Sequence, residues 1–198
     1  MQATIPSLPQ LLKKYGRFSF DQARRSGLSQ FEIAKLVASG VINKISRGIY
    51  ELVSAELDPS TRDFSIACFK FGPTATIGGL TALFHYTLIQ QVPGQTWVLV
   101  PPSKYSADSI YRLVRTKNSL TIGVEQQPTY RITSIERTIV DAFLLSTKLG
   151  EGIAYSAAIR GIRNRQTSPI KIFKMAQLLG VKSRIEQHSQ ALLGALEA

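Results

Sequence analysis

Apolar positions in the first forty residues recur at helical spacing in three short stretches, each opened by a serine and closed by a glycine. Leu8, Leu11, Leu12 and Tyr15 follow Ser7-Leu8-Pro9-Gln10 and run into Gly16. The i, i+3, i+4, i+7 spacing predicts an amphipathic helix, and Ser with Gln three positions later reads as a capping box. A proline in the first turn costs little, because its missing N–H is unbonded there in any helix. Ser19-Phe20-Asp21-Gln22 opens a second stretch, in which Phe20 and Ala23 form the apolar edge before Gly27. Ser29-Gln30-Phe31-Glu32 opens a third, with Ile33, Leu36 and Val37 as the inward stripe and Gly40 as the stop. Two helices joined by a short turn containing Gly are the sequence form of a helix-turn-helix.

After Gly40 the period changes. Val41 to Ile45 and Ile49 to Val53 are short β-branched and aromatic runs flanking Ser46-Arg47-Gly48. This predicts a β-hairpin whose turn uses the freedom of Gly48. A hairpin directly after the third helix is a wing, so residues 1–55 are expected to form a winged helix-turn-helix DNA-binding domain.

Ser54 to Ser60, with Asp58-Pro59, reads as a linker to a larger C-terminal domain over 56–198. An apolar helix is expected from Ser60 through Phe71, a turn-rich segment from Pro73 to Gly79, and a helix from Leu80 to Tyr86. Strands are expected at Thr96 to Val100, Tyr111 to Val114, Leu120 to Gln126 and Tyr130 to Thr133. Ser134 caps a helix with Ile135, Ile139, Val140, Phe143 and Leu144 inward, and further helices are expected over 151–160, 169–179 and 183–196. Helices, then strands, then helices predict an α+β fold with a small mixed sheet packed by helices.

Charge sharpens this picture. The chain carries 24 Lys and Arg against 13 acids, a net +11, and such a surface attracts polyanions. Cys68 is alone in an apolar run and cannot form an internal disulfide, which suits a reducing compartment. His85 and His188 lie in unrelated contexts and supply too few ligands for zinc. Met1 to Pro9 lacks the apolar core of a signal peptide, and no apolar run approaches the ~20 residues of a membrane span, so a cytoplasmic location is expected. Neither a G-x-S-x-G elbow, a Gly-rich phosphate loop with Lys, nor an H-E-x-x-H motif occurs. The expectation is a binding protein, not an enzyme, with no cofactor and no metal.

The outer face of the third helix carries Gln30, Phe31, Ala34, Lys35 and Ala38. Small and amide side chains let a helix enter the major groove, where Gln30 can pair with adenine, Phe31 or Ala34 can meet a thymine methyl, and Lys35 can reach guanine or phosphate. For Phe31 the alternative is packing under the second helix. Arg47 at the hairpin tip and Lys44 beside it are placed for backbone or minor groove. Lys13, Lys14, Arg17, Arg24 and Arg25 are candidates for further phosphate contacts. A second basic run with no acid includes Arg160, Arg163, Arg165, Lys171, Lys174, Lys182 and Arg184; of these, Arg163 and Arg165 flank a loop and are candidate DNA contacts. Lys104, Arg112, Arg115 and Lys117 form a weaker group. The competing uses of such a module are protein–protein contact and adaptor-type nucleic-acid binding.

Three segments resemble one family. Gly40 to Tyr50 resembles the wing of the AbiEi antitoxins, the antitoxin half of type IV toxin–antitoxin systems. Thr74 to Leu83 is similar to a second segment of that family, with Thr81 where Ser is commoner, and Ile132 to Ala142, with Arg137 and Asp141, is similar to a third. The resemblance implies a transcriptional repressor that binds inverted repeats in its own promoter, with a C-terminal domain that neutralises a nucleotidyltransferase toxin. It puts DNA reading on Gln30, Lys35, Lys44 and Arg47. Arg137 and Asp141, at i and i+4, are expected to form a structural ion pair. A winged-helix regulator without a toxin partner is equally compatible. Without a heptad or an exposed apolar helix, a monomer or weak dimer is expected.

Overall fold

A computed structural model describes residues 7–194 of the chain. The expected helical end at Leu196 and residues 1–6 of the Met1 to Pro9 segment lie outside the described residues. Among those described, eleven α-helices and two small sheets make a mixed α+β fold.

The first three helices are α1 (Gln10–Tyr15), α2 (Phe20–Arg25) and α3 (Gln30–Ala38). Ser19 and Ser29 cap α2 and α3 through complete capping boxes with Gln22 and Glu32. Each box satisfies two backbone donors that a helix start otherwise leaves open. The box expected at Ser7 does not form: Pro9 itself occupies the N-cap position and no side chain caps α1. Between α1 and α2 lies a strand that periodicity did not reveal, β1 (Arg17–Ser19). It pairs antiparallel with β3 (Ile49–Leu52), which pairs antiparallel with β2 (Ile42–Ser46). The hairpin turn is Arg47-Gly48, where Gly48 adopts φ 70, a left-handed angle that costs other residues more. Leu12, Phe18, Ala23, Leu28, Ile33, Leu36 and Ile42 form a core drawn entirely from this region.

A single 3-10 turn (Pro59–Thr61) leads into α4 (Arg62–Phe71). The second sheet has the order β6-β5-β4-β8-β7, from β4 (Thr76–Ile77), β5 (Thr96–Val100), β6 (Tyr111–Arg115), β7 (Val124–Gln126) and β8 (Arg131–Thr133). β5 and β6 run parallel, as do β4 and β8, while the other two pairings are antiparallel. The sheet is therefore mixed. Strand alternation sends Val98 and Val100 into one cluster with Phe64, Ala67 and Phe71 of α4. Trp97 and Leu99 point to the other face, which is covered by α5 (Gly79–His85), α6 (Ile135–Leu144), α8 (Glu151–Arg163) and α9 (Pro169–Leu178).

Three expectations need correction here. The segment expected to be turn-rich contains β4. Only Val124–Gln126 of the 120–126 run is strand, because Leu120 and Ile122 carbonyls accept hydrogen bonds from the side chains of Arg131 and Arg137 instead of a neighbouring strand. The last expected helix divides into α10 (Lys182–Glu186) and α11 (Ser189–Gly194), after the four-residue α7 (Ser146–Leu149) earlier in the chain. At the break, the His188 ring stacks on Phe143, 4.5 Å between centroids, and is bonded to the Tyr155 hydroxyl. The Arg137–Asp141 pair is present: Arg137 Nε donates to Asp141 Oδ2 at 2.8 Å, and Nη1 donates to the Ser119 and Ile122 carbonyls. Burial raises the Asp141 carboxyl to about 6 against the pull of Arg137. No helix among the described residues is long and apolar enough to cross a membrane.

Candidate nucleic-acid interface

Gly27, buried Leu28 and Ser29 turn the chain from α2 into α3. Arg24 Nη1 donates to the Leu28 carbonyl at 3.0 Å and Leu28 N to the Ala23 carbonyl, which fixes the turn. α3 buries Ile33 and Leu36 and leaves Gln30, Phe31, Ala34 and Ala38 exposed. Phe31 is 68% exposed, so it does not pack under α2. Lys35 is half-buried, with Nζ 4.7 Å above the centre of the Phe31 ring. Such a cation–π contact at an exposed site is worth about 0.5–1 kcal/mol and gives the flexible lysine a preferred position. Val37, read from the sequence as inward, is 36% exposed at the margin of the stripe.

The hairpin lies against α3. Gln30, Ala34, Val37 and Ala38 share with Lys44 and Tyr50 a groove of about 360 Å³, floored by Phe20 and Ile33. Lys44 stands opposite Tyr50 in the strand register, and the bulge that follows it, before Ser46, carries the strand to the exposed tip residue Arg47. The Gly48 carbonyl accepts the Phe20 N–H at 2.7 Å, tying the tip to the start of α2.

The electrostatics of this region are one-sided. Residues 7–55 hold eight Lys and Arg against three acids. Glu32 is held in the α3 capping box, and the two hydrogen bonds with Ser29 keep its pKa below the usual carboxylate value. Glu51 is paired with Arg17 and Arg62, leaving Asp21. Lys13, Lys14, Arg24, Arg25 and Arg47 are exposed, as is Lys44, and none forms an ion pair with a described residue. Arg25 lines a separate cleft with Asp21, Cys68, Tyr130 and Arg131.

Arg17 is a correction. Grouped from the sequence with the phosphate contacts, it is only 2% exposed. Its Nε donates to Glu51 Oε2 at 2.6 Å, Nη1 to Thr61 Oγ1 at 3.0 Å and Nη2 to the Asp58 carbonyl at 3.1 Å. A guanidinium with all its acceptors inside the protein is not available to a phosphate. No sequence signal nearby marks it, because every partner is distant in the chain.

Arg163 and Arg165 are exposed at the end of α8, Arg165 in a left-handed conformation (φ 57) that helps turn the chain toward α9. Lys171 and Lys174 are exposed on α9. Cys68 is buried, and desolvation pushes its thiol up to about 11. No cluster of three or more metal-ligating side chains occurs among the described residues. No family model matches this chain, and no curated protein matches it.

Proposed function

We propose that this protein is a sequence-specific DNA-binding transcriptional repressor, with residues 1–55 acting as a winged helix-turn-helix and the remainder as an antitoxin-type domain. The observation that carries the reading is the groove in which Lys44 of the hairpin faces Gln30, Ala34 and Ala38 of α3 with no acid in its lining. A helix bearing small and amide side chains beside a cation suits base edges flanked by phosphates. Exposed Phe31 offers a thymine-methyl contact, and Arg47 at the tip offers a contact to backbone or minor groove. Lys13, Lys14, Arg24 and Arg25, with Arg163 and Arg165, extend the cationic surface. Together with the segments similar to AbiEi antitoxins, this favours a cytoplasmic, non-enzymatic repressor of its own operon that acts on inverted repeats as a monomer or weak dimer. Its functional partner is a nucleotidyltransferase toxin.

The test is binding of the full chain to duplex DNA from its own upstream region, titrated over salt. Affinity is expected to fall steeply as salt rises. Arg47→Ala should weaken binding to all sequences and reduce the log–log salt slope by about 1, whereas Gln30→Ala should relax discrimination at one base pair by about 1–3 kcal/mol. If both variants protect the promoter as the parent does, the reading fails. Rescue of cells expressing a nucleotidyltransferase encoded beside it tests the antitoxin part separately.

A further inference from the structure

A second site lies in the C-terminal part, where the parallel strands β5 and β6 end. Crevices at the carboxyl ends of parallel strands are where open α/β sheets hold their ligands. Here the crevice has a volume of about 170 Å³ and is lined by Arg115, Thr116, Asn118, Asp141, Lys148 and Arg184, with leucines between them. Asp141 is 4% exposed. One of its oxygens, Oδ2, is taken by Arg137, and no described residue donates to the other, Oδ1. The three cations come from β6, α7 and α10, elements far apart in sequence. All three are exposed, and none forms an ion pair with a described residue. The backbone N–H of Asn118 donates to Thr116 Oγ1, while its own carboxamide has no described partner.

Three cations gathered around one carboxylate that Arg137 already holds repel one another, and an anion among them relieves that repulsion. Arginine presents paired donors suited to phosphate oxygens, and lysine adds a point charge. A carboxylate oxygen in the same crevice disfavours a bare dianion and favours a ligand that also carries a hydrogen-bond donor. We propose that this pocket binds a small hydroxylated phosphate ester, its phosphate held by Arg115, Lys148 and Arg184 and one hydroxyl donating to Asp141 Oδ1. Asn118 is placed to bond a second hydroxyl. This site stands independently of DNA binding.

The test is isothermal titration of the full chain with ribose 5-phosphate, with ribose and inorganic phosphate as comparators, at about 0.15 M salt to screen unspecific attraction. Ribose 5-phosphate is expected to bind, inorganic phosphate more weakly, and ribose not measurably. Arg184→Ala and Lys148→Ala should each weaken binding about tenfold, the size of one charge-assisted hydrogen bond. Lys171→Ala, which removes an exposed cation outside the pocket, should leave it unchanged. Because both rim residues are exposed and form no ion pair with a described residue, their removal is not expected to perturb folding, which melting of each variant verifies. Absence of heat with ribose 5-phosphate overturns the proposal. So does equal binding of inorganic phosphate, or an equal loss in Lys171→Ala, either of which marks unspecific attraction to a basic surface.

Discussion

Arg137→Met is expected to destabilise the protein by about 3–5 kcal/mol, the usual cost of removing one partner from a buried ion pair. Arg137 is fully buried and holds three acceptors: Asp141 Oδ2 at 2.8 Å, the Ser119 carbonyl at 2.9 Å and the Ile122 carbonyl at 2.8 Å. Its removal leaves a carboxylate and two carbonyls unpaired and frees the loop before β7 from α6. The check is a double-mutant cycle by chemical denaturation with Asp141→Leu and the pair together. The double variant should cost clearly less than the sum of the singles, since it removes both charges. Additive costs would mean that the ion pair is not what joins these residues energetically.

The second large effect is expected at Arg17. Arg17→Met should cost about 3 kcal/mol, the low end for breaking a buried pair, because Arg62 still faces Glu51. Arg62→Met should cost under about 1 kcal/mol, as its side chain is 48% exposed and its pairing is screened by water. Glu51 adds a pH signature. Desolvation, the largest single influence on its carboxyl, pulls the pKa up, but hydrogen bonds from Arg62 and Arg17 and their charges together bring it below the usual value. A carboxyl depressed in the folded state binds protons more readily when unfolded. Its stabilisation is therefore complete above the ordinary value near pH ~4.3 and is lost as pH falls through its lower folded value. Acid titration of stability should show this loss in the parent and a smaller one in Glu51→Gln. An unchanged acid limb in Glu51→Gln would remove Glu51 from the account.

What was legible in the chain depended on how far each interaction reaches. Ser19 and Ser29 could be read as caps because donor and acceptor stand three residues apart. The outer face of α3 followed from a 3.6-residue period, apart from Val37 at the edge of the stripe, where a rotation of a few tens of degrees decides exposure. Arg17 was not legible, since its partners lie 34, 44 and 41 positions away and β1 is too short to show alternation. β4 was hidden for the same reason: two residues become a strand only because Ile77 pairs with Val98 on one side and Ile132 on the other. The crevice around Asp141 was invisible, as β6, α6, α7 and α10 meet there only in three dimensions. Charge counting found the cations without saying which were spoken for.

The buried Arg17 guanidinium also dictates where the chain can be divided. A fragment ending at Ala55 keeps Glu51 but loses the Asp58 carbonyl and the Thr61 hydroxyl, two of the three acceptors on that guanidinium, together with Arg62. Excision a little later, past Arg62, carries the whole set along. For anyone isolating the N-terminal region, the natural cut therefore falls inside the first turn of the following helix and not in the loop that looks like the seam.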